Sequence, residues 1–396
     1  MHAVRILQQR LRAQCPRVHL KRLGALLVCV VAALRGQRLT LTELGRALPS
    51  QARVKHSIKR VDRLLGNRQL AVERFDIYQA VSGWLLARSQ RPIIVIDWSV
   101  LTADHSWQLL RAALPVHGRT LTIYEEVHPR RHLASRRVHS AFLRRLKALV
   151  PDGVTPILVT DAGFRGPWFK AVSRLGWHWI GRVRNRDFMR AQGSATWVAC
   201  KSLYSKANAR PQALGLHELV RSNPLHCRLY VVKRIKKNRV HTSVFGERVR
   251  STQSSKQARA QREPWLLAAS PSLVELNAHD VVNFYAQRMQ IEEAFRDLKS
   301  SRYGLGFELH LSRTRERIAA LLLIASLAML ILWQIGSAAI AQRLQFQYQS
   351  NTRKTRPVLS VFTLAFLVLR RLTYDSPPRT RVLSTRNYSA PYALQL

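Results

Sequence analysis

Ile318 to Ala341 is an apolar run broken by only three polar side chains, Ser326, Gln334 and Ser337. At about 24 residues it is long enough to cross a bilayer as a helix, or to run through the middle of a large core with neighbours on every side. Arg313, Arg315 and Arg317 precede it and Arg343 and Arg353 follow it, so no asymmetry of positive charge orients a span. No other segment matches it. A single buried core helix is therefore the expectation, with a basic membrane-attached protein as the competing reading.

A buried helix of that length needs a large domain around it, and 396 residues are enough for two or three domains. The chain carries 65 Lys and Arg against 22 Asp and Glu, a formal net charge of +43, with 47% hydrophobic residues. That rules out a disordered basic tail and makes a polyanion the expected partner, nucleic acid ahead of anionic membrane. Cys15, Cys29, Cys200 and Cys227 show neither C-x2-C nor Cys/His finger spacing, so structural zinc is not expected and free thiols in a reducing compartment are. The charged N-terminus does not read as a secretory signal. The absence of a Walker A pattern and of a Gly-rich dinucleotide loop removes support for nucleotide hydrolysis.

Residues 1–88 show apolar positions at three- and four-residue spacing over Val4–Arg12, His19–Leu34, Leu41–Leu48, Arg53–Leu65 and Ala71–Leu86. Five helices follow, with Thr40 or Thr42 capping the third and Gly66-Asn67 ending the fourth. The third and fourth, 41–65, form a helix-turn-helix candidate. Arg53, Lys55, His56, Lys59, Arg60 and Arg63 load its second helix with cations, as docking along phosphates requires. A solvated basic helix in a bundle is the plainer reading.

From Pro92 the pattern changes to strands. Ile93–Ile96 is a β-branched run ending in Asp97; Leu109–Leu114 and Thr120–Tyr124 follow, then a helix at Val138–Leu149. Pro156–Thr160 repeats the device and ends in Asp161. A helix at Trp168–Leu175 and a strand at Trp177–Val183 complete a mixed α/β order. Residues 195–261 read as an inserted, mostly β, partly mobile region, with strands at Leu229–Val232 and Thr242–Phe245 and cationic stretches at Lys233–Arg239 and Arg248–Arg262. Strand-like order returns at 263–270, and a helix at Val358–Leu372 precedes a loose tail from Ser376. The expected divisions are thus 1–88 (helical, with the DNA-binding candidate), 89–194 with 262–345 (mixed α/β), 195–261 (β insertion) and 346–396 (C-terminal helix and tail).

Tyr285–Lys299 reads as one amphipathic helix in which Tyr285, Arg288, Glu292, Arg296 and Lys299 share an arc of roughly 80°. Phe284, Ile291, Phe295 and Leu298 form the adjoining apolar stripe, and Glu293 points elsewhere. A lone carboxylate among cations suits a metal ion held beside phosphates; a solvated face with i,i+4 pairs is the alternative. Three acids stand out by context: Asp97 and Asp161 at strand ends and Glu292 on this helix. Asp104, Glu125, Glu126 and Asp152 are the rivals. Pro129 between His128 and His132 argues against a helical metal pair.

Tyr285-x2-Arg288-x3-Glu292-x6-Lys299 resembles the "YREK" signature of the IS-four family of cut-and-paste DDE transposases. The likeness continues through Tyr303-Gly-Leu-Gly306, Val159-Thr-Asp-Ala-Gly-Phe164, Ala113-Leu-Pro-Val-His-Gly-Arg119 and Leu39-Thr-Leu-Thr-Glu-Leu-Gly-Arg46. The resemblance implies an RNase H-like catalytic core and an end-binding domain at the N-terminus. It also implies a site of Asp97, Asp161 and Glu292 holding two Mg²⁺ ions, with Mn²⁺ as a substitute. The implied DNA contacts are Tyr285, Arg288 and Lys299, with Trp265 stacking on a flipped base and Met289 as the wedge; Arg296, on the same helix face, and Arg165 are candidate phosphate contacts from the residues themselves. From sequence, a core position for Trp265 and a plain surface position for Arg165 stay open. The implied activity is nicking, hairpin formation and strand transfer on transposon ends and target DNA by a homodimer in the bacterial cytoplasm, at the nucleoid. A non-catalytic DNA-binding protein is the alternative of another class.

Overall fold

The computed structural model describes residues 2–184, 187–234 and 263–374. The expected strand Thr242–Phe245, the stretch Arg248–Arg262, most of Lys233–Arg239 and the tail from Ser376 lie outside the described residues.

Five helices open the chain, as the periodicity requires: α1 (His2–Gln14), α2 (Leu20–Gly36), α3 (Leu41–Arg46), α4 (Val54–Leu65) and α5 (Arg68–Leu86). The Thr40 hydroxyl accepts from Glu43 N at 3.2 Å and caps α3. Where α3 crosses α4, Gly45 lies so close that a Cβ there would stand 2.6 Å from Ile58 Cα. Only a missing side chain permits that approach.

The strands β1 (Ile93–Val100), β2 (Trp107–Val116) and β3 (Arg119–Pro129) follow, then α6 (Arg136–Leu149), β4 (Ile157–Thr160), α7 (Gly166–Arg174) and β5 (His178–Val183). Next come β6 (Phe188–Ala191), β7 (Val198–Ala199), β8 (Gln212–Leu219), β9 (Leu225–Val232) and β10 (Trp265–Ala269). All ten strands form one sheet, in the order β3-β2-β1-β4-β5-β10-β9-β8-β6-β7. β1 is antiparallel to β2 and β2 to β3, whereas β1, β4 and β5 run parallel. The mixed α/β class expected from the sequence is present. The strands read as an insertion differ from expectation in one respect. β9 pairs with β10 along Arg228–Val232, so they extend the core sheet instead of building a separate one, and β6 already belongs to that extension through its pairing with β8.

The last elements are α8 (Ala278–Ala286), α9 (Met289–Lys299), α10 (Arg315–Ala341), α11 (Gln345–Tyr348) and α12 (Val361–Tyr374). α10 is the apolar run. By length and composition it is one helix able to cross a membrane, yet in this fold it packs against α2, α4, α5, β3 and α12 and is mostly buried. Burial among protein neighbours accounts for its composition without a bilayer. Gly336 lets α12 approach it, since a Cβ there would lie 2.1 Å from the Val361 carbonyl oxygen.

The single helix expected over Tyr285–Lys299 is instead two. Bonds from Arg288 N to Tyr285 O (3.0 Å) and from Gln290 N to Gln287 O (2.9 Å) reach back three residues, and this tightening separates α8 from α9. Tyr285 lies in the last turn of one helix while Glu292 and Lys299 ride on the next, and of the five residues on the expected arc Arg296 turns away, to Glu293.

Candidate functional site

β1 and β4 lie side by side with Ile96 opposite Thr160 as their last parallel pair, so Asp97 and Asp161 are each the next residue. Asp161 closes its strand as expected, whereas β1 continues to Val100 against β2 and Asp97 is an interior position. Alternation along β1 then assigns the faces. Trp98 donates its indole N–H to His139 on α6 (3.1 Å), while Asp97 points the other way, toward Arg288. Oδ1 of Asp97 accepts from its neighbour's amide, Trp98 N, at 2.8 Å, and Oδ1 of Asp161 accepts from Gly163 N at 2.9 Å, which fixes both carboxylates.

The face toward which Asp97 points is covered by α9. Arg288, just before that helix, donates through Nη1 to Asp97 Oδ2 (3.1 Å) and through Nη2 to Glu292 Oε1 (2.6 Å). One guanidinium therefore joins the first and third acids. The Glu292 side chain is 44% exposed and the Arg288 side chain 12%, so the pair leads from the interior to the surface. Burial, opposed by Arg288 and reinforced by Asp161 and Glu292, pushes the Asp97 carboxyl up to about 7. Burial works against the charge of Arg288, but Tyr285, Asp97 and Glu292 outweigh it and hold its pKa above the ordinary value. Its Nε is buried without a partner.

Lys299, one end of α9, donates to Ser99 Oγ on β1 at 2.6 Å. Burial, and then Arg111, lower its pKa to about 8. Tyr285 is buried, its hydroxyl beside Arg288, and burial raises its pKa. Its ring meets Trp265 edge to face with centroids 4.9 Å apart, and the Arg234 guanidinium lies 4.6 Å over the Trp265 ring. Trp265 is half-buried: part of its surface belongs to the core and part faces outward. Met289 places its sulfur 3.5 Å from Arg288 Nη2.

Other residues singled out from the sequence lie apart from this group. Arg296 pairs with Glu293, so the two point away from Glu292 together. Arg165 is exposed at the start of α7. Arg53, Lys55, His56, Lys59, Arg60 and Arg63 are all exposed on and just before α4, among the N-terminal helices, where Lys59 pairs with Asp62 at 3.0 Å.

Three of the rival acids have structural partners. Glu125 takes the Tyr78 hydroxyl (2.9 Å) and Arg111 (2.8 Å); Glu126 takes Tyr124, His128 and Arg145; Asp104 caps Ser106. Sequence reasoning passed over Arg111, which lies opposite Asp97 on β2 with its side chain 1% exposed. A lone cation inside the apolar strand Leu109–Leu114 was the available signal. It packs over the Phe295 ring at 5.2 Å and so helps seat α9 on the sheet.

The donors at this place are all carboxylate oxygens, the chemistry that a hard divalent cation selects. The Asp97 carboxyl is raised chiefly by burial and further by Asp161 and Glu292, and a cation beside it would favour its charged form. Among the described residues no three His, Cys, Asp or Glu side chains surround a common point, and Arg288 lies between Asp97 and Glu292. The carboxylates of Asp97 and Asp161, on neighbouring strands, are of the donor type that such a cation takes.

Residues 88–331 match the family model described as a transposase DDE domain. The piggyBac transposase synaptic complex with hairpin DNA is a similar solved structure, with 12% identity, a TM-score of 0.42, and coverage of 92% of this chain and 74% of that one. No curated protein matches the chain in sequence.

Proposed function

The chain belongs to the transposase DDE domain family, and from that premise we propose that this DNA transposase cuts and joins strands at Asp97, Asp161 and Glu292. The observation that carries the assignment is the register of β1 and β4, which sets two aspartates side by side just past their last parallel pair, with Arg288 tying the third acid to the first. The strand order β3-β2-β1-β4-β5 supports an RNase H-like core.

In this reading Asp97, Asp161 and Glu292 hold the divalent metal that the family generally uses, two Mg²⁺ ions or Mn²⁺ in their place. Such ions neutralise charge on the attacking and leaving oxygens of an in-line displacement. The protein supplies the positioning. Lys299 is anchored on Ser99 with its ammonium beside Asp97, suited to hold a phosphate of the cut strand. Arg288 exchanges its carboxylate partners for phosphate, which frees Glu292. The Trp265 ring offers a surface for an unstacked base during hairpin formation. The cationic face of α4 binds the transposon ends, with residues 1–88 as the recognition region, 195–261 as the insertion and 346–396 as the dimerisation region of a homodimeric synaptic complex. The YREK spacing supports a reading of the chain as an IS-four member, related to the transposase of the tetracycline-resistance composite transposon and acting at the bacterial nucleoid.

A nicking assay on duplexes carrying the inverted repeats that flank its gene tests this. The wild-type chain should nick at the repeat boundary with Mg²⁺. Asp97→Asn, Asp161→Asn and Glu292→Gln should bind the ends in a gel shift and cut nothing, while Glu293→Gln keeps activity. Cleavage lost in Glu293→Gln and kept in Glu292→Gln would overturn the assignment.

A further inference from the structure

At Pro129 the chain leaves β3 and turns through the 3₁₀ segment Arg130–His132 into α6. β3 runs in the same direction as β1, because each is antiparallel to β2, so this turn stands at the end of the sheet that carries Asp97 and Asp161. Arg130, Arg131, Arg136 and Arg137 are exposed there, and Arg144 is exposed two turns further along α6. α6 contains no Asp or Glu, and among the described residues no carboxylate pairs with any of the five; only the neighbouring Arg145 is engaged, with Glu126.

This local sequence works against its own fold. Arg136 and Arg137 open the helix, where the helix dipole disfavours cations, and the Ser135 side chain makes no cap. Ala134 sits at φ 57°, a conformation that a side chain with Cβ rarely adopts. Helix stability does not account for arginines in these places; a polyanion laid along them does. An anionic membrane is a poor match, since the apolar face of α6 (Val138, Phe142, Leu143 and Leu146) is buried in the core and cannot enter a bilayer.

The position identifies which DNA. α6 and α9 cover opposite faces of the sheet, as Trp98 with His139 and Tyr124 with Phe142 mark one, and Asp97 with Arg288 and Arg111 with Phe295 mark the other. A transposon end held by Arg288 and Lys299 occupies the α9 side and leaves the arginine face of α6 uncovered. We propose that this face docks the phosphate backbone of the target duplex where it runs past the end of the sheet that carries the carboxylates. The inference rests on the carboxylate site proposed above.

The test uses the full chain with Arg136→Ala, Arg137→Ala and Arg144→Ala combined, and the corresponding triple Lys variant. Nicking at the repeat boundary should stay within about twofold of wild type. Joining of a pre-cut end with a free 3′-hydroxyl to a plasmid should fall about tenfold or more, and the Lys variant should recover most of it. Binding to a repeat-free duplex should lose about 3 units of slope in log affinity against log salt, one per phosphate contact removed. Unchanged joining overturns the proposal, and so does a parallel fall in nicking and joining, which would assign the face to the transposon end. Joining lost without any change in duplex affinity also overturns it and points to an acidic protein partner. If the wild-type chain nicks nothing, the carboxylate assignment fails, while the repeat-free duplex arm still decides whether the arginine face holds DNA.

Discussion

Nη1 of Arg288 donates to Oδ2 of Asp97 across 3.1 Å, joining residues 191 apart in the chain. The same guanidinium holds Glu292 at 2.6 Å, so a cation already sits between two of the three proposed ligands. Releasing it should strengthen metal binding in the absence of DNA. Arg288→Gln is expected to bind Mn²⁺ about tenfold more tightly, about 1.4 kcal/mol, by titration calorimetry or spin-resonance counting of free ion, while holding end DNA less well. Weaker Mn²⁺ binding by the variant would show that Arg288 organises the carboxylates instead of competing for them.

The Asp97 carboxyl, pushed up to about 7 chiefly by burial, gives a pH dependence of defined sign. Between the ordinary carboxylate value near 4 and about 7, the folded chain keeps a proton that the unfolded chain has lost. Stability from this group is therefore full at low pH, declines as pH rises through that window and levels off above it. Without divalent metal, Asp97→Asn should melt higher than wild type at pH 8, with the difference shrinking toward pH 4. Metal affinity of the wild type should rise with pH up to about 7 and then flatten. A melting difference that does not vary with pH would contradict the buried, crowded state of Asp97.

Gly45 allows α3 and α4 to cross with a prospective Cβ only 2.6 Å from Ile58 Cα. Gly45→Ala should cost about 1–3 kcal/mol, as overpacking does, and weaken end binding by parting the two helices. Lys59→Ala and Arg60→Ala should weaken the same binding with little change in melting temperature, both side chains being exposed. The full-length chain is the proper material, because α2, α4 and α5 pack on α10 and a fragment cut at residue 88 would expose that surface. End binding unaffected by all three changes would move DNA recognition away from α4.

Trp265 lies edge to face with Tyr285 at 4.9 Å and beneath Arg234 at 4.6 Å. Base stacking on such a ring is worth about 1–3 kcal/mol, or roughly 5- to 150-fold in rate if gained only when the strand bends. Trp265→Ala should spare the first nick and slow hairpin formation by that order. A uniform loss of both steps with a lowered melting temperature would identify the ring as a structural support of Tyr285.

The β-branched run Ile93–Ile96, the run at Pro156–Thr160, the helical periodicity of residues 1–88 and the apolar stretch of α10 are local signals, and the elements they imply are present to within a few residues. Asp161 at a strand end and Glu292 four residues after Arg288 are local features of the same kind, whereas the apparent end of the run at Asp97 is an interior position of β1. What depends on distant partners was not legible in this way. The pairing of β9 with β10, which merges the inserted strands with the core sheet, is set by cross-strand register, not by periodicity within either strand. The break between α8 and α9 leaves no Gly or Pro to announce it; it comes from three-residue hydrogen bonds closing around Gln287 and Arg288. Arg111 beside Glu125, Arg296 with Glu293 and Arg288 between Asp97 and Glu292 are likewise choices among several available carboxylates. Sequence set the charges and their spacing along each element, and only the folded geometry decided which of them meet, since burial and distance determine the strength of a pairing.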